Sequence, residues 1–153
     1  MCSASRGPRR NGAYTATSCT NAAMCMRSCI PIRCAATALA IHGREIPAVH
    51  YMVAAASDNS IRCAPYAVFG SQALSDNALS ALEERRACLL AHHGVIALGA
   101  DLARALWLAH EVEVLAKQYL LASQLGTPPV LSKEQMDEVL EKFKSYGRRN
   151  KQS

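Results

Sequence analysis

The stretch "LLAHHGVIALG", Leu89 to Gly99, decides how this chain is read. It is apolar except for two adjacent histidines, and a glycine follows them at once. With Ala87 and Cys88 ahead of it, the run fits one buried strand or two strands joined at Gly94, because a segment covered on both faces loses the alternation of a half-exposed strand. His93 has two readings. A histidine in a buried strand is more often a hydrogen-bonded core residue than a metal ligand, yet Gly94 lets another group approach closely. A single imidazole does not hold a metal ion, so the second reading requires partners elsewhere.

Downstream, Asp101 is a helix cap, and the helix after it is expected to reach about Gln124. Leu102, Ala105, Leu106, Ala109, Val112, Ala116, Tyr119 and Leu120 recur at helical spacing and mark its inward face. Gly126 and Pro128-Pro129 end it. Ser132 and Gln135 form a capping box for a last helix to about Tyr146. Upstream, Ser75 or Asp76 is expected to cap a helix running to about Arg86. The segment 57–77 before it is turn-rich and reads as an ordered loop with short strands. "IPAVHYMVAAA" suggests a strand near Val49–Met52. "CAATALAIHG" reads as a short buried helix stopped at Gly43. Strands alternating with helices imply an α/β or α+β sandwich.

The first 33 residues differ in kind. They carry five arginines and no acid, whereas lysines plus arginines equal acids from Cys34 onward, so the net charge of +5 belongs wholly to this segment. Five of the seven cysteines fall within the first 34 residues. The segment shows no helical or strand period and is expected to be unstructured. A basic arm for nucleic acid is one reading; a segment foreign to the domain is the preferred one. No apolar run reaches the ~18–20 residues of a membrane span. No export signal is visible, so free thiols in a reducing cytoplasm are expected.

Few other residues point to chemistry on their own. Cys25, Cys29 and Cys34 have x3 and x4 spacings, a weak zinc signal without a second pair. "HEVE" at His110–Glu113 lacks the spacing that puts two imidazoles on one helix face. His42 and His110 read as structural or exposed. Tyr51, Tyr66, Phe69 and Tyr146 read singly as core or rim aromatics.

Taken together, "IPAVHYMVAAASDNSIRCAPYAVFG", "LLAHHGVIALG", "ALWLAHEVEVLAKQYLLA" and "VLSKEQMDEVLEKFKSYG" resemble the L-fuculose-phosphate aldolases of the class II aldolase/adducin family. The resemblance runs in order from Cys34 to about Gly147, leaving residues 148–153 as a basic tail. It implies a three-layer α/β/α sandwich with a largely antiparallel central sheet, incomplete here at the N-terminus, and assembly as a homotetramer. It implies a Zn²⁺ held by three histidines and a glutamate, with His93 as one ligand. Tyr51 resembles the proton donor that reaches a neighbouring subunit's site, and Phe69 and Tyr146 resemble residues that shape and close the pocket. The implied reaction is reversible retro-aldol cleavage of L-fuculose 1-phosphate to dihydroxyacetone phosphate and L-lactaldehyde. In it a zinc ion stabilises the enediolate as a Lewis acid, a carboxylate takes the proton and a tyrosine supplies one. A non-catalytic adducin-like assembly protein, or a sugar-phosphate epimerase or dehydratase of the same family, is the alternative. No nucleic-acid or membrane partner is implied.

The family's Ser-Ser-Glu-Trp and Val-Val-His-x-His-Ser motifs, which supply the glutamate and two histidines, are missing. "GPRRNGAY" and "MRSCIPIR" stand in their place. If the third base of each codon is read with the first two of the next, residues 7–33 are compatible with P-S-S-E-W-R, then R-D-I-L-H-E-R, then D-V-H-A-V-V-H-T-H-S. Met24-Cys25 must then give Val, and Met26-Arg27 gives Ala for a CGN arginine codon. The frame returns at Arg33/Cys34. Residues 1–33 therefore read as an out-of-frame segment ahead of an in-frame aldolase domain. Three of four ligands are absent, so weak zinc binding and little activity are expected of the chain as written.

Overall fold

The structure, a computed structural model, describes residues 33–145 and the backbone of residues 27–29. The apolar run of the hairpin resolves into two strands, β3 (Ala87–Leu90) and β4 (Gly94–Gly99), paired antiparallel with Leu90 opposite Gly94. Their side chains divide by parity. Ala87, Leu89, Val95 and Ala97 join one core cluster, while Cys88, Leu90 and Ile96 join another on the opposite face. Both faces are covered, which is why no polar residue interrupts the strands. A short strand, β2 (Cys63–Ala64), lies parallel to β3, and β1 (Arg27–Cys29) lies antiparallel to β4. The sheet order is β1-β4-β3-β2.

β1 falls in the stretch expected to lack regular structure. Its pairing is a main-chain ladder, Arg27 opposite Gly99 through Cys29 opposite Ala97. Such a ladder needs no particular side chains, only backbone groups laid along the open edge of β4.

One face of the sheet carries two helices, α1 (Cys34–Ile41) and α3 (Leu102–Ser123); the other carries α2 (Gln72–Ala81). The last helix, α4 (Lys133–Ser145), follows α3 and buries Met136 in the larger cluster. Asp101 caps α3 as expected, its carboxylate accepting the Arg104 N–H at 2.7 Å. The capping box of α4 is also formed: the Ser132 N–H donates to Gln135 Oε1 at 2.8 Å, and the Gln135 N–H donates to Ser132 Oγ at 3.2 Å.

Three expectations are corrected. Residues Tyr51–Ala56 form a short 3₁₀ helix, not a strand at Val49–Met52. Strand pairing here is taken instead by Ile46 and Ile61, whose N–H and C=O groups bond reciprocally at 3.0 and 2.9 Å. The small side chains of Ala54–Ala56 allow a tight, buried turn, which Ser57 ends in the left-handed region at φ 80°. The second correction concerns α2. Its cap is Ser71, whose Oγ accepts the Leu74 N–H at 3.1 Å, and the helix stops at Ala81. Gly70, at φ 75°, turns the chain just before it, and Glu84, at φ 58°, follows its end. The third concerns the inward face of α3. Leu102 is 62% exposed and Leu106 is also exposed, whereas Leu108 and Leu115 are buried beside Ala105, Ala109, Val112 and Ala116. The helix is apolar on adjoining faces, and contact with the sheet selects one of them.

Gly99 marks where α3 crosses the end of β4. A Cβ there would stand 2.4 Å from the Ala105 nitrogen and 2.8 Å from the Arg104 carbonyl carbon. No described helix is long and apolar enough to cross a membrane.

Candidate functional site

His93 lies in the three-residue turn between β3 and β4. The turn is tight: the His93 N–H donates to the Leu90 carbonyl at 3.0 Å, His92 is left-handed at φ 60°, and Gly94 adopts φ 142°. Left-handed backbone is unfavourable for a side chain such as histidine, so neighbouring contacts must hold it. One comes from α1, whose Ala40 carbonyl accepts the His92 N–H at 3.3 Å. Another is the Ala91 N–H to the Ala64 carbonyl at 3.0 Å, which extends the β2–β3 pairing.

The loop after β2 covers the imidazole. His93 Nε2 lies 2.8 Å from the Ala67 carbonyl oxygen. A carbonyl only accepts, so Nε2 carries the hydrogen and donates; in the neutral ring the lone pair is then on Nδ1. The Tyr66 ring stacks on His93, with centroids 5.5 Å apart and planes at 12°, and meets His92 edge-on at 5.6 Å. Phe69 belongs to this same loop, two residues past Ala67, and is 83% exposed.

Tyr51 is elsewhere. It opens the 3₁₀ helix, where His50 Nδ1 accepts the Met52 N–H at 3.3 Å and the His50 and Tyr51 rings are 4.6 Å apart. Half exposed, Tyr51 lines a cavity of about 490 Å³ with Met52, Trp107, Val139 and Phe143. His93 does not line that cavity. The structure thus brings the loop of Phe69 to His93, while Tyr51 lines a cavity that neither of them lines. Tyr146 lies outside the described residues.

Glu113 was not singled out by its sequence context. Its carboxylate accepts the N–H groups of Ala35 and Ala36, each at 2.9 Å, and so caps the start of α1 from 78 and 77 residues away. One signal was available. "RCAATALAI" has no Ser, Thr, Asp or Asn at the cap position, and Arg33 there makes no side-chain cap bond. A helix without a local cap calls for a remote one.

The donor chemistry can be tested against a zinc ion. Among the described residues, no three His, Cys, Asp or Glu side chains form a group that could hold a metal. The two described cysteines within the sheet do not help. Burial raises the Cys63 thiol above its ordinary value, and burial, with the nearby Cys63, pushes Cys88 up to about 12. Metal ligation needs the thiolate. The described residues therefore do not fit a zinc site; they supply a single oriented imidazole.

Comparison with known proteins identifies the family. Residues 33–120 match the family described as Class II Aldolase and Adducin N-terminal domain. The L-fuculose phosphate aldolase of Escherichia coli strain K12 is 58% identical over 114 residues, covering 74% of this chain and 53% of that protein. A 5-methylthioribulose-1-phosphate/5-deoxyribulose-1-phosphate aldolase of Rhodospirillum rubrum is 56% identical over 111 residues, covering 72% and 50%. A solved L-fuculose 1-phosphate aldolase superposes with a TM-score of 0.74 at 43% identity, covering 76% of this chain and 55% of that one. The chain spans about half the length of the curated relatives it matches. Its α/β fold is that of these aldolases, and the chain belongs to the class II aldolase and adducin family as a fuculose-phosphate aldolase-like member.

Proposed function

We propose that this chain derives from a zinc-dependent ketose-1-phosphate aldolase of the fuculose-phosphate type, and that residues 1–33 are its out-of-frame portion. The observation that carries this reading is a coincidence of boundaries. The family match begins at residue 33, the point at which the shifted codons return to frame.

The register of β1 supports the same reading. β1 and β4 pair so that partner numbers total 126, as in Arg27 with Gly99. In a frame-restored chain, the two histidines of Val-Val-His-x-His-Ser fall at the junctions 29/30 and 31/32. The same register carried forward would set them opposite residues 94–97, beside His93. That strand would then deliver two more imidazoles to the retained one.

In this reading His93 is the surviving ligand, and its Nε2–H bond to Ala67 and its stacking on Tyr66 fix the ring. Tyr51, which lines a cavity that His93 does not line, serves a neighbouring subunit, as the implied homotetramer requires. Phe69 and Tyr146 shape the pocket, and the domain spans residues 34–147. The complete protein is a three-layer α/β/α sandwich acting in the cytoplasm. The described residues bring together too few donors for a zinc ion, so His93 alone carries no catalytic step here. The adducin-like and epimerase readings are not favoured by the curated relatives, which carry aldolase names.

Two proteins test the proposal: the chain as written, and a version with the frame restored by one nucleotide. Metal analysis is paired with aldol cleavage assays on L-fuculose 1-phosphate and 5-deoxyribulose 1-phosphate. The restored protein is expected to bind zinc stoichiometrically and cleave at least one of the two; the chain as written is expected to do neither. Stoichiometric zinc in the chain as written, lost on His93→Ala, would overturn the proposal, as would a restored protein without zinc-dependent lyase activity.

A further inference from the structure

We propose that Glu113 is a positioning residue for the His92–His93 turn, acting through α1 as a rigid strut. The inference rests on the reading above only in taking His93 as the residue whose placement matters. The structure supplies each link. At the start of α1, the two oxygens of the Glu113 carboxylate accept one N–H each, from Ala35 and Ala36, both at 2.9 Å. These are two of the four amides that a helix leaves without internal partners, and a negative charge there also suits the helix dipole. A forked contact fixes the orientation of the helix start as well as its position; a single bond would leave a pivot.

The body of α1 transmits the restraint. Ala36, Leu39 and Ala40 are buried in the larger core cluster. Eight residues make a rod of about 12 Å, so a tilt of about 5° at its start moves its far end by about 1 Å. At that far end the Ala40 carbonyl accepts the His92 N–H at 3.3 Å. His92 is the left-handed residue of the turn at φ 60°. Such a conformation persists only where its surroundings over-determine it. His93 follows directly, with its ring tied to Ala67. Displacement of the far end of α1 therefore acts first on His92 and then on the direction in which the His93 ring points.

The test uses the full chain, isotopically labelled, and two NMR readouts: backbone amide exchange, and the ring-nitrogen shifts of His93. The variants are Glu113→Ala, Glu113→Gln, which retains one acceptor oxygen, and Ser132→Ala, which removes a helix cap elsewhere. Glu113→Ala is expected to speed exchange at Ala35 and Ala36 about tenfold, to speed exchange at the His92 amide several-fold, and to shift the His93 ring signals. Glu113→Gln is expected to be intermediate, and Ser132→Ala to leave His92 and His93 unchanged. Faster exchange at Ala35 and Ala36 with an unmoved His92 amide and His93 ring would make Glu113 a local cap and overturn the proposal. Unchanged exchange at Ala35 and Ala36, or an equal response to Ser132→Ala, would overturn it too. Should Glu113→Ala fail to fold, Glu113→Gln decides by the same criteria. No readout involves metal or substrate, so failure here and failure of the aldolase reading are separately visible.

Discussion

Replacing Gly99 by alanine tests the packing of the sheet against its longest helix. The new methyl would lie 2.4 Å from the Ala105 nitrogen and 2.9 Å from the Ala105 Cα. Non-bonded carbon contacts settle at about 3.5–4.0 Å, so β4 and α3 must separate locally by about 1 Å. The obstructing atoms are helix backbone and have no rotamer to change. Moving them draws Ala105, Ala109 and Val112, all fully buried, off the sheet. Overpacking commonly costs ~1–3 kcal/mol, and a main-chain obstacle places this site at the top of that range, about 3 kcal/mol. Gly43→Ala is the internal comparison. Gly43 has no atom within 4 Å of a built Cβ but sits at φ +61°. Its substitution carries the left-handed penalty of ~1–2 kcal/mol, offset by ~0.4–1 kcal/mol from the stiffer unfolded chain. Urea unfolding followed by circular dichroism measures both. With a slope of ~2 kcal/mol/M, Gly99→Ala should lower the midpoint by about 1.5 M, and Gly43→Ala by about half of that or less. A Gly99→Ala midpoint equal to the parent's, or above that of Gly43→Ala, would refute the reasoning.

Three further outcomes are expected. Ser75 is buried within α2, and its hydroxyl has no hydrogen-bond partner among the described residues; Ser75→Ala should therefore stabilise the chain by ~1 kcal/mol, read as a rise in the same urea midpoint, and a fall would show that a partner exists. Cys88, pushed from 9.0 to about 12 by burial and then by Cys63, keeps its proton when folded at a pH where an unfolded thiol loses it. Its contribution is complete below about pH 9 and declines as pH rises towards 12, by up to ~1.4 kcal/mol per pH unit. Cys88→Ala should flatten that alkaline decline, and an unchanged slope would count against the assignment. In thiol labelling at pH 8, exposed Cys34 should react well before Cys88.

The elements that were legible in the sequence are those whose cause is local. Asp101 capping α3, and Ser132 with Gln135 opening α4, are contacts over three residues, and they form as read. The hairpin was legible as an alternative, one strand or two, because full burial erases the period that would have chosen. The strand expected near Val49–Met52 does not form because Val49 and Tyr51 favour strands only where a neighbouring edge is available, and Ile46 and Ile61 pair with each other. Leu102 and Leu106 were placed inward because α3 offers two adjoining apolar faces. The candidate site divided in the same way. His93 stood out through its glycine neighbour and its motif, while Glu113 did not, since the amides it caps lie 77 and 78 positions earlier. That Tyr51 lines a cavity with Trp107 and Phe143 follows from tertiary packing alone and leaves no mark on spacing.

The order of the strands has a consequence for how such a gene tolerates an insertion or deletion. Among the described residues, every fully buried core side chain comes from position 36 or later, and the sheet places its earliest strand at the rim. A ribosome that slips phase and regains it before this point would still deliver an interior of unaltered chemistry. The lesion would then resemble the loss of a ligand-bearing attachment more than the loss of a keystone. Repairing the nucleotide would need to restore only what the rim contributes.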